Sequence, residues 1–302
     1  MGQHHARIYA GLPGAKLVGV TDLDPLRSRV VGERHGVTAY ADAAALLKEV
    51  EAVSVAVPTS AHHAVAKSCL EADVHVLVEK PIAATPEQAQ ELIEVARRRG
   101  RVLQVGHVER FNPVLLAART HITRPKFIEC QRRSPFGERG TDVDVVLDLM
   151  IHDLDIILSF NPGPVEEVRA AGMSVLSATN DIANARIAFQ SGCVANLTAS
   201  RVSSTRVRKL RVFQPDGYLS IDYHARQGHL YRREAESRSR RGYVQQTLSG
   251  GGGDALTLEI EEFLRAASTG TRPVVSGEDG AAALILAHRV LEEIDVFARR
   301  HS

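Results

Sequence analysis

The feature that most constrains the fold is a regular alternation of short apolar runs with helical segments through residue 106. Asp24-Pro25 and Thr85-Pro86 each combine a capping side chain with a proline that suits the first turn of a helix. Between such helices lie apolar runs, among which Ala52–Pro58 and Val74–Val78 are strongly apolar. Strands that are each followed by a helix pair in parallel, and the helices cross over the sheet. The order predicts an α/β, Rossmann-type, doubly wound parallel sheet.

The pattern changes after Asn112-Pro113, where strand-like runs begin to follow one another directly. The helical segments are 113–120, 143–160, 255–268 and 279–299, and the strand-like runs are 165–175, 181–190, 193–201, 205–214, 217–223 and 228–233. Because only short turns separate the runs, we expect successive runs to be antiparallel neighbours. This part predicts an α+β domain with a large, mostly antiparallel open sheet. The predicted domains are therefore 1–112 and 113–302.

Composition argues against several classes of partner. The chain has 37 basic and 36 acidic residues, a net charge of +1, which indicates neither a nucleic-acid nor a membrane-surface partner. Cys69, Cys130 and Cys193 are far apart and have no metal-binding or disulfide spacing, which suits a reducing compartment. No apolar run approaches the roughly 20 residues that span a bilayer, and the amino terminus has no apolar signal core. We expect a cytoplasmic protein without a bound metal.

The amino terminus carries part of a dinucleotide-binding fingerprint. In Gly-x-Gly-x-x-Gly, a turn joins the first strand to a helix whose amino end binds pyrophosphate. Met1-Gly2 fits the end of this pattern, with Gly2 as the glycine that lets helix and strand pack closely. Asp22 follows about twenty residues later at a strand end, where an acid binds the ribose hydroxyls of NAD. The first strand and two glycines are missing, so we expect the natural chain to start before Met1. An in-frame stop codon just upstream would contradict this.

Lys80 lies where the run Val74–Val78 ends. Pro81 cannot continue a central strand, so the strand stops beside this lysine. Ligands of open parallel sheets bind outside the carboxyl ends of the strands, which makes Lys80 a candidate for chemistry. An exposed lysine in a turn is the alternative that these residues leave open.

Asp148 and His152 are four residues apart in a helical segment and are expected to share a face. An acid and an imidazole on one face can form a base with an orienting partner, and the ordinary pKa of histidine suits proton transfer near neutral pH. The alternative is a solvated acidic helix with an incidental histidine. Leu147 and Met150 argue against it, because they make the helix too apolar to be wholly exposed.

Together these residues resemble the Gfo/Idh/MocA family of NAD(P)-dependent sugar oxidoreductases over nearly the whole chain. The matching pieces are Met1-Gly2 with His5-Ala6, Asp22, Val57-Pro58-Thr59 with His62, Glu79-Lys80-Pro81, Arg110-Phe111-x-Pro113, Asp148-x-x-x-His152-x-x-Asp155, Glu259–Phe263 and Pro273–Asp279. Within the family, the run Gly106–Pro113 looks most like UDP-N-acetylglucosamine 3-dehydrogenases. As a bare pattern, the same run could line a cleft or form an interdomain linker.

The resemblance implies roles for individual residues. His152 would accept the proton of a sugar hydroxyl, Lys80 would stabilise the developing alkoxide, and Asp148 would orient His152 or hold the charge of Lys80. The implied cofactor contacts are Gly2, Asp22, Pro58, Thr59, His62 and Glu79, and the implied substrate contacts are His107, Arg110 and Asn112. Residues 1–112 would then bind the dinucleotide, and residues 113–302 would bind the substrate and form an oligomer.

The implied activity is NAD-dependent oxidation of a sugar hydroxyl, at C3 of a nucleotide sugar such as UDP-N-acetylglucosamine. Oxidation of a free polyol or sugar of the inositol or glucose type, and a non-catalytic binding role, stay open. Asp22 favours NAD over NADP, because a 2′-phosphate would meet a carboxylate. An open sheet with an apolar face usually needs a partner, so we expect a homo-oligomer.

The basic run Arg206–Arg211 allows two interpretations. Its polar and apolar residues alternate imperfectly, as in a solvated sheet face or a subunit contact. Alternatively, its cations could be the electrostatic partner of a nucleotide-sugar diphosphate. The later basic residues Arg232-Arg233 and Arg238-x-Arg240-Arg241 are expected to form a solvated loop.

Overall fold

The computed structural model of the chain describes residues 1–137, 143–233 and 243–301. It divides into two compact units, one formed by residues 1–108 with 255–281 and the other by residues 109–254 with 282–302. The single boundary expected near residue 112 would assign residues 255–281 to the second domain, whereas the structure groups them with the first unit.

Parallel strands and their crossover helices make up the first unit, as the strand–helix alternation predicts. The strands are β1 (Gly19–Val20), β2 (Thr38–Ala39), β3 (Ala52–Val55), β4 (His75–Glu79) and β5 (Leu103–Gly106). The helices are α1 (Gly2–Gly11), α2 (Pro25–His35), α3 (Ala43–Leu47), α4 (Thr59–Glu71), α5 (Pro86–Arg99) and α8 (Ala255–Thr269). All strand pairs are parallel, in the orders β1-β2 and β3-β4-β5. No strand in the described ranges joins β1 to β3, so the strands form two sheets.

Local sequence explains where the helices begin and end. The Asp24 carboxylate accepts a hydrogen bond from the Leu26 N–H at 2.9 Å and caps α2. Thr85 caps α5 in the same way, through the Gln88 N–H at 3.3 Å. Gly100 ends α5 with a φ of 62°, a left-handed conformation that glycine adopts without steric cost.

Helix α8 belongs to the first unit because its apolar stripe completes the core there. Its residues Ile260 and Phe263 are fully buried and pack with Ile8 of α1 and Leu77 of β4. The side-chain amide of Gln104 on β5 also donates to the Glu259 carbonyl oxygen at 3.0 Å. Residues 255–281 are thus bound to this core by apolar and polar contacts.

Within the described residues, an eight-stranded, mostly antiparallel sheet dominates the second unit, as expected. Its strands are β6 (Phe127–Arg133), β7 (Val165–Met173), β8 (Ile182–Phe189), β9 (Val194–Ser200), β10 (Val207–Gln214), β11 (Gly217–Asp222), β12 (Gln227–Arg233) and β13 (Tyr243–Ser249). The strand order is β13-β12-β11-β10-β6-β9-β8-β7. Every neighbouring pair is antiparallel except β6 and β9, which are parallel.

Two expectations about this sheet are wrong. Strands β9 and β10 follow one another in the chain but are not neighbours, because β6 lies between them. Strand β6 was not predicted, because its inward-facing positions include Arg132, a buried cation that breaks the apolar alternation. Arg232 and Arg233 lie on β12 rather than in a loop, whereas Arg238, Arg240 and Arg241 lie outside the described residues.

The remaining helices supply the other half of the second unit's core. They are α6 (Pro113–Arg119), a π-helical turn (Val146–Met150) that continues into α7 (Ile151–Ser159), and α9 (Gly277–His301). Fully buried Leu154 of α7 and Val290 of α9 pack with sheet residues such as Leu197 and Val212. Among the described helices, none is both long and apolar enough to cross a membrane.

Candidate functional site

Lys80 directly follows β4, as the sequence predicts. The preceding strand residues Val76, Leu77 and Val78 are fully buried, and this fixes the point at which the chain leaves the sheet. Lys80 itself is half-buried, and its peptide bond to Pro81 is cis. Its position at the carboxyl end of a parallel strand is confirmed, and its catalytic role stays a prediction.

Glu79 is held by a hydrogen-bond network that extends into α1. The His5 ring lies between two partners, with Nε2 at 3.0 Å from Glu79 Oε1 and Nδ1 at 3.0 Å from Ser54 Oγ. The Tyr9 hydroxyl is 2.8 Å from the same Ser54 oxygen. Burial would raise the pKa of Glu79, but His5 and Lys80 outweigh it and hold that pKa below its ordinary value. The network therefore keeps an ionised carboxylate beside Lys80.

His62 connects the turns that follow two adjacent strands. The side chain is buried, with Nδ1 at 2.7 Å from the Pro81 carbonyl oxygen and Nε2 at 2.9 Å from the Val57 carbonyl oxygen. These contacts give His62 a structural role at the carboxyl ends of β3 and β4. Its predicted contact with a cofactor gains no separate support from them.

Two helices of the first unit begin with N–H groups that suit an anion. Helix α1 starts at Gly2, and α4 starts at Thr59 after Pro58; neither has a side-chain cap or an acidic residue in its first turn. The positive end of the helix dipole favours negative charge at such positions. A Cβ added at Gly2 would lie 3.9 Å from the Ala56 Cβ, an ordinary contact. Close packing in the described chain therefore does not require a glycine there.

Asp22 is exposed just beyond β1, and its Oδ1 accepts a hydrogen bond from the Asp24 N–H at 2.9 Å. An exposed carboxylate after a parallel strand is the group that binds ribose hydroxyls in dinucleotide sites. Together with the uncapped helix ends, it forms a donor and acceptor set that fits a nicotinamide dinucleotide. In the described ranges, no group of three or more His, Cys, Asp or Glu side chains is placed to hold a metal ion.

Asp148 and His152 lie on one continuous helical segment of the second unit. Asp148 is in the π-helical turn and His152 is in the first turn of α7, and both are half-buried. Wide turns of this kind occur often at functional sites. Asp144 anchors the start of the segment, because its carboxylate accepts from the Val146 N–H at 2.9 Å and from the Asn180 side-chain amide at 2.7 Å. Asp148 and His152 belong to the second unit and Lys80 belongs to the first. The catalytic triad of Lys80, Asp148 and His152 therefore stays a prediction.

Arg110 is committed to an ion pair. Its Nε and Nη2 donate to the two carboxylate oxygens of Asp155 at 2.7 and 3.0 Å, and both side chains are almost fully buried. Such a bidentate pair fixes geometry as well as charge. It ties the 3-10 turn Val108–Phe111 to α7. The predicted role of Arg110 as a substrate contact gains no support from this arrangement.

Asn112 and His107 are also enclosed by the protein. Asn112 caps α6 by accepting from the Val114 N–H at 3.3 Å, and its amide donates to Glu109 Oε2 at 3.1 Å. His107 has 1% of its surface exposed. The predicted substrate contacts of these two residues therefore stay predictions, and the observed contacts of Asn112 are structural.

A network of buried charges in the second unit was not predicted from the sequence. Arg132 of β6 donates to both carboxylate oxygens of Asp153 at 3.2 and 2.8 Å, and to Glu109 Oε1 at 3.0 Å. Arg208 of β10 donates to the same Glu109 oxygen at 3.3 Å. Burial would raise the pKa of Glu109, but Arg132 and Arg208 hold it below its ordinary value. The sequence identified Arg208 only as one cation of the basic run Arg206–Arg211 and did not predict its ion pair with Glu109.

Comparison with known proteins agrees with this geometry. Residues 1–107 match the model of an oxidoreductase family with an NAD-binding Rossmann fold, and residues 114–220 match the GFO/IDH/MocA C-terminal domain. The chain is 36% identical to the UDP-N-acetylglucosamine 3-dehydrogenase of Acidithiobacillus ferrooxidans, over 99% of this chain and 96% of that protein. A solved structure of that enzyme superposes with a TM-score of 0.92 at 36% identity, covering 98% of this chain and 95% of the other.

A second kind of relative also aligns over most of the chain. The myo-inositol 2-dehydrogenase of Thermotoga maritima is 25% identical over 98% of this chain and 93% of its own length. The resemblance inferred from Glu79-Lys80-Pro81 and from the helix with Asp148 and His152 is confirmed by these matches. The chain belongs to the GFO/IDH/MocA family of oxidoreductases.

Proposed function

We propose that the protein is an NAD-dependent dehydrogenase that oxidises a sugar hydroxyl, at C3 of a nucleotide sugar such as UDP-N-acetylglucosamine. The observation that carries this proposal is the 36% identity to a UDP-N-acetylglucosamine 3-dehydrogenase across 99% of the chain. The position of Lys80 after β4 and the placement of Asp148 and His152 on one helical segment support it.

The chain's own residues would hold the dinucleotide in the first unit. Asp22 would bind the ribose hydroxyls, and the amino end of α1 at Gly2 would bind the pyrophosphate. Pro58-Thr59 at the amino end of α4 would also contact the dinucleotide. When bound, the nicotinamide supplies the acceptor for the hydride. Because the Asp22 carboxylate would repel a 2′-phosphate, we propose NAD as the cofactor. Binding of NADP more tightly than NAD in a titration would contradict this choice.

Three side chains would act on the sugar. His152 would take the proton of the hydroxyl, since imidazole is an effective base near neutral pH. Lys80, as an ammonium group, would donate a hydrogen bond to the same oxygen and stabilise its developing negative charge. Asp148 would orient His152 or hold the Lys80 ammonium in place. Glu79, fixed by His5, supports the chain beside Lys80.

NADH absorbance measured with UDP-N-acetylglucosamine as substrate tests the proposal directly. Replacing the base in His152→Ala should lower kcat by about 10²–10⁴, and Lys80→Ala should lower it for the electrostatic reason given above. His224→Ala is a matched control, because His224 is an exposed histidine of the same unit. Turnover near the wild-type rate in either active-site variant would contradict the assignment.

A free polyol is the second candidate substrate. The 25% identity to myo-inositol 2-dehydrogenase over 98% of the chain favours it. The same absorbance assay with a panel of inositols and glucose separates the two substrates. An absence of turnover with every sugar, together with measurable NAD binding, would favour a non-catalytic binding role.

We also propose a homo-oligomer that works in the cytoplasm. A row of aromatic side chains crosses five strands on the sheet face opposite the core, at Phe127, Phe213, Tyr218, Tyr231 and Tyr243. Such a partly exposed apolar row suits a contact between copies. The three cysteines are buried and unpaired, which suits a reducing compartment. Sedimentation measures the assembly state.

A further inference from the structure

Arg208 interrupts the apolar inner face of β10. Leu210 and Val212, two and four residues later on the same face, are buried in the core. The Arg208 side chain is 41% exposed, so its guanidinium group reaches solvent at the edge of that core. Its register partner on β6 is Arg132, which is buried. Two guanidinium groups therefore lie side by side on one face of the sheet.

The charges around Arg208 do not balance. Glu109 Oε1 is shared between Arg132 Nη1 at 3.0 Å and Arg208 Nη1 at 3.3 Å, while Asp153 is paired with Arg132. The exposed Arg206 adds a third cation. Burial, and then the positive charges of Arg132 and Arg206, lower the pKa of Arg208 from its ordinary value. Among the described residues, three guanidinium groups thus face two carboxylates, and the excess positive charge is at the solvent-facing end.

The same network leads to the helix that carries the proposed base. Asp153 follows His152 directly on α7, and its ion pair with Arg132 joins that helix to β6 and, through Glu109, to Arg208. His152 and Arg208 are thus connected by one chain of contacts within the second unit. Guanidinium groups bind phosphate oxygens through paired hydrogen bonds.

We propose that Arg208, assisted by Arg206, binds the diphosphate of a nucleotide-linked sugar substrate. This inference rests on the proposed nucleotide-sugar activity and names the residues that would distinguish such a substrate from a free polyol. Glu109 is the positioning residue, because it accepts a hydrogen bond from the Arg208 guanidinium, and Arg132 holds Glu109 in place.

Strand β10 itself offers a matched control. Arg211 lies three residues after Arg208 and therefore on the opposite face of the strand. Its side chain is 49% exposed and pairs with Glu129 at 3.3 Å, the same distance as that between Arg208 and Glu109. The two arginines differ in face and in neighbouring charge rather than in exposure or pairing.

The test uses the full chain with Arg208→Gln, Arg208→Lys and Arg211→Gln. Kinetics with UDP-N-acetylglucosamine give kcat and KM, and calorimetry with UDP alone gives a dissociation constant. A hydrogen bond to a charged group contributes about 1.5–3 kcal/mol, so Arg208→Gln should raise KM and the UDP dissociation constant roughly 10- to 100-fold. Its kcat should stay near the wild-type value. For Arg208→Lys, KM and the UDP dissociation constant should lie between those of the wild type and Arg208→Gln. Both values for Arg211→Gln should match the wild type.

The outcomes separate the inference from the activity on which it rests. If the wild type oxidises UDP-N-acetylglucosamine and Arg208→Gln binds UDP unchanged, the inference is overturned and the activity stands. If the wild type neither binds UDP nor oxidises the nucleotide sugar, the proposed function fails and the inference fails with it. Should Arg208→Gln not fold, Arg208→Lys decides, since lysine keeps the charge but loses the paired bonds. An unchanged UDP dissociation constant in that variant would overturn the inference.

Discussion

Two glutamates, one in each unit, are buried to a similar extent and are kept ionised by different neighbours. The Glu79 side chain is 12% exposed and contacts His5, whose other ring nitrogen contacts the Ser54 hydroxyl. The charge of Lys80 also favours the ionised form of Glu79. The Glu109 side chain is 8% exposed and is held by two guanidinium groups. Both carboxyl pKa values lie below the ordinary value despite burial. The comparison shows that a buried carboxylate can be kept ionised by two guanidinium groups or by a histidine together with one lysine, and the two arrangements should respond differently to substitution.

The largest expected effect is in the second unit. Arg132→Met keeps most of the side-chain volume but leaves the buried carboxylates of Glu109 and Asp153 without their main cation. Removing one partner of a buried ion pair costs about 3–5 kcal/mol, because the charge that remains is uncompensated. Urea unfolding of the variant and the wild type measures this free energy. Arg211→Met, at an exposed pair, should cost under about 1 kcal/mol. Equal losses in the two variants would remove the distinction between buried and exposed arginines.

A smaller effect is expected in the first unit. His5→Ala removes the ring nitrogens that contact Glu79 and Ser54, and leaves polar groups buried with fewer partners. Such a loss costs about 1–3 kcal/mol. His63→Ala is the control, because His63 pairs with the more exposed Glu91 at 2.8 Å; it should cost about 1 kcal/mol or less. If His5→Ala destabilised the protein as much as Arg132→Met, the two networks would be energetically alike.

Acid stability should show the smallest difference. A carboxyl whose pKa is lowered by folding stabilises the protein above its unfolded pKa, and this contribution is lost as pH falls through the folded pKa. Wild type should therefore lose more stability than Glu79→Gln or Glu109→Gln when the pH falls below the ordinary glutamate pKa. Melting temperatures measured across that pH range check this. Parallel curves for wild type and both variants would mean that neither carboxylate contributes to the pH dependence.

Much of the architecture could be predicted because it depends on patterns of residues that are close together in the chain. The alternation of strands and helices, the end of β4 at Lys80, and the helical segment with Asp148 and His152 each depend on neighbouring residues. The structure places all three elements where those patterns indicate. Local chemistry and periodicity were sufficient there because each element forms within one stretch of chain.

The polar networks could not be predicted, because their residues are far apart in the chain. His5 and Glu79 are 74 residues apart in the chain, and no periodicity relates them. Arg132 was missed because a buried arginine looks like a surface residue until its two carboxylate partners are known. Insertion of β6 between β9 and β10 brings Arg132 beside Arg208, and strand order of this kind is set by long-range pairing.

The return of residues 255–281 to the first unit has a consequence for folding during synthesis. Ile8 and Leu77 leave the ribosome early, but α8, which covers them, follows only after residues 109–254. At about 5–20 residues per second, that interval lasts roughly 7–30 s. During this interval the apolar surface that α8 covers in the folded protein stays exposed in the first unit, while the residues of the eight-stranded sheet are synthesised. The part of the protein that is synthesised first is therefore completed among the last.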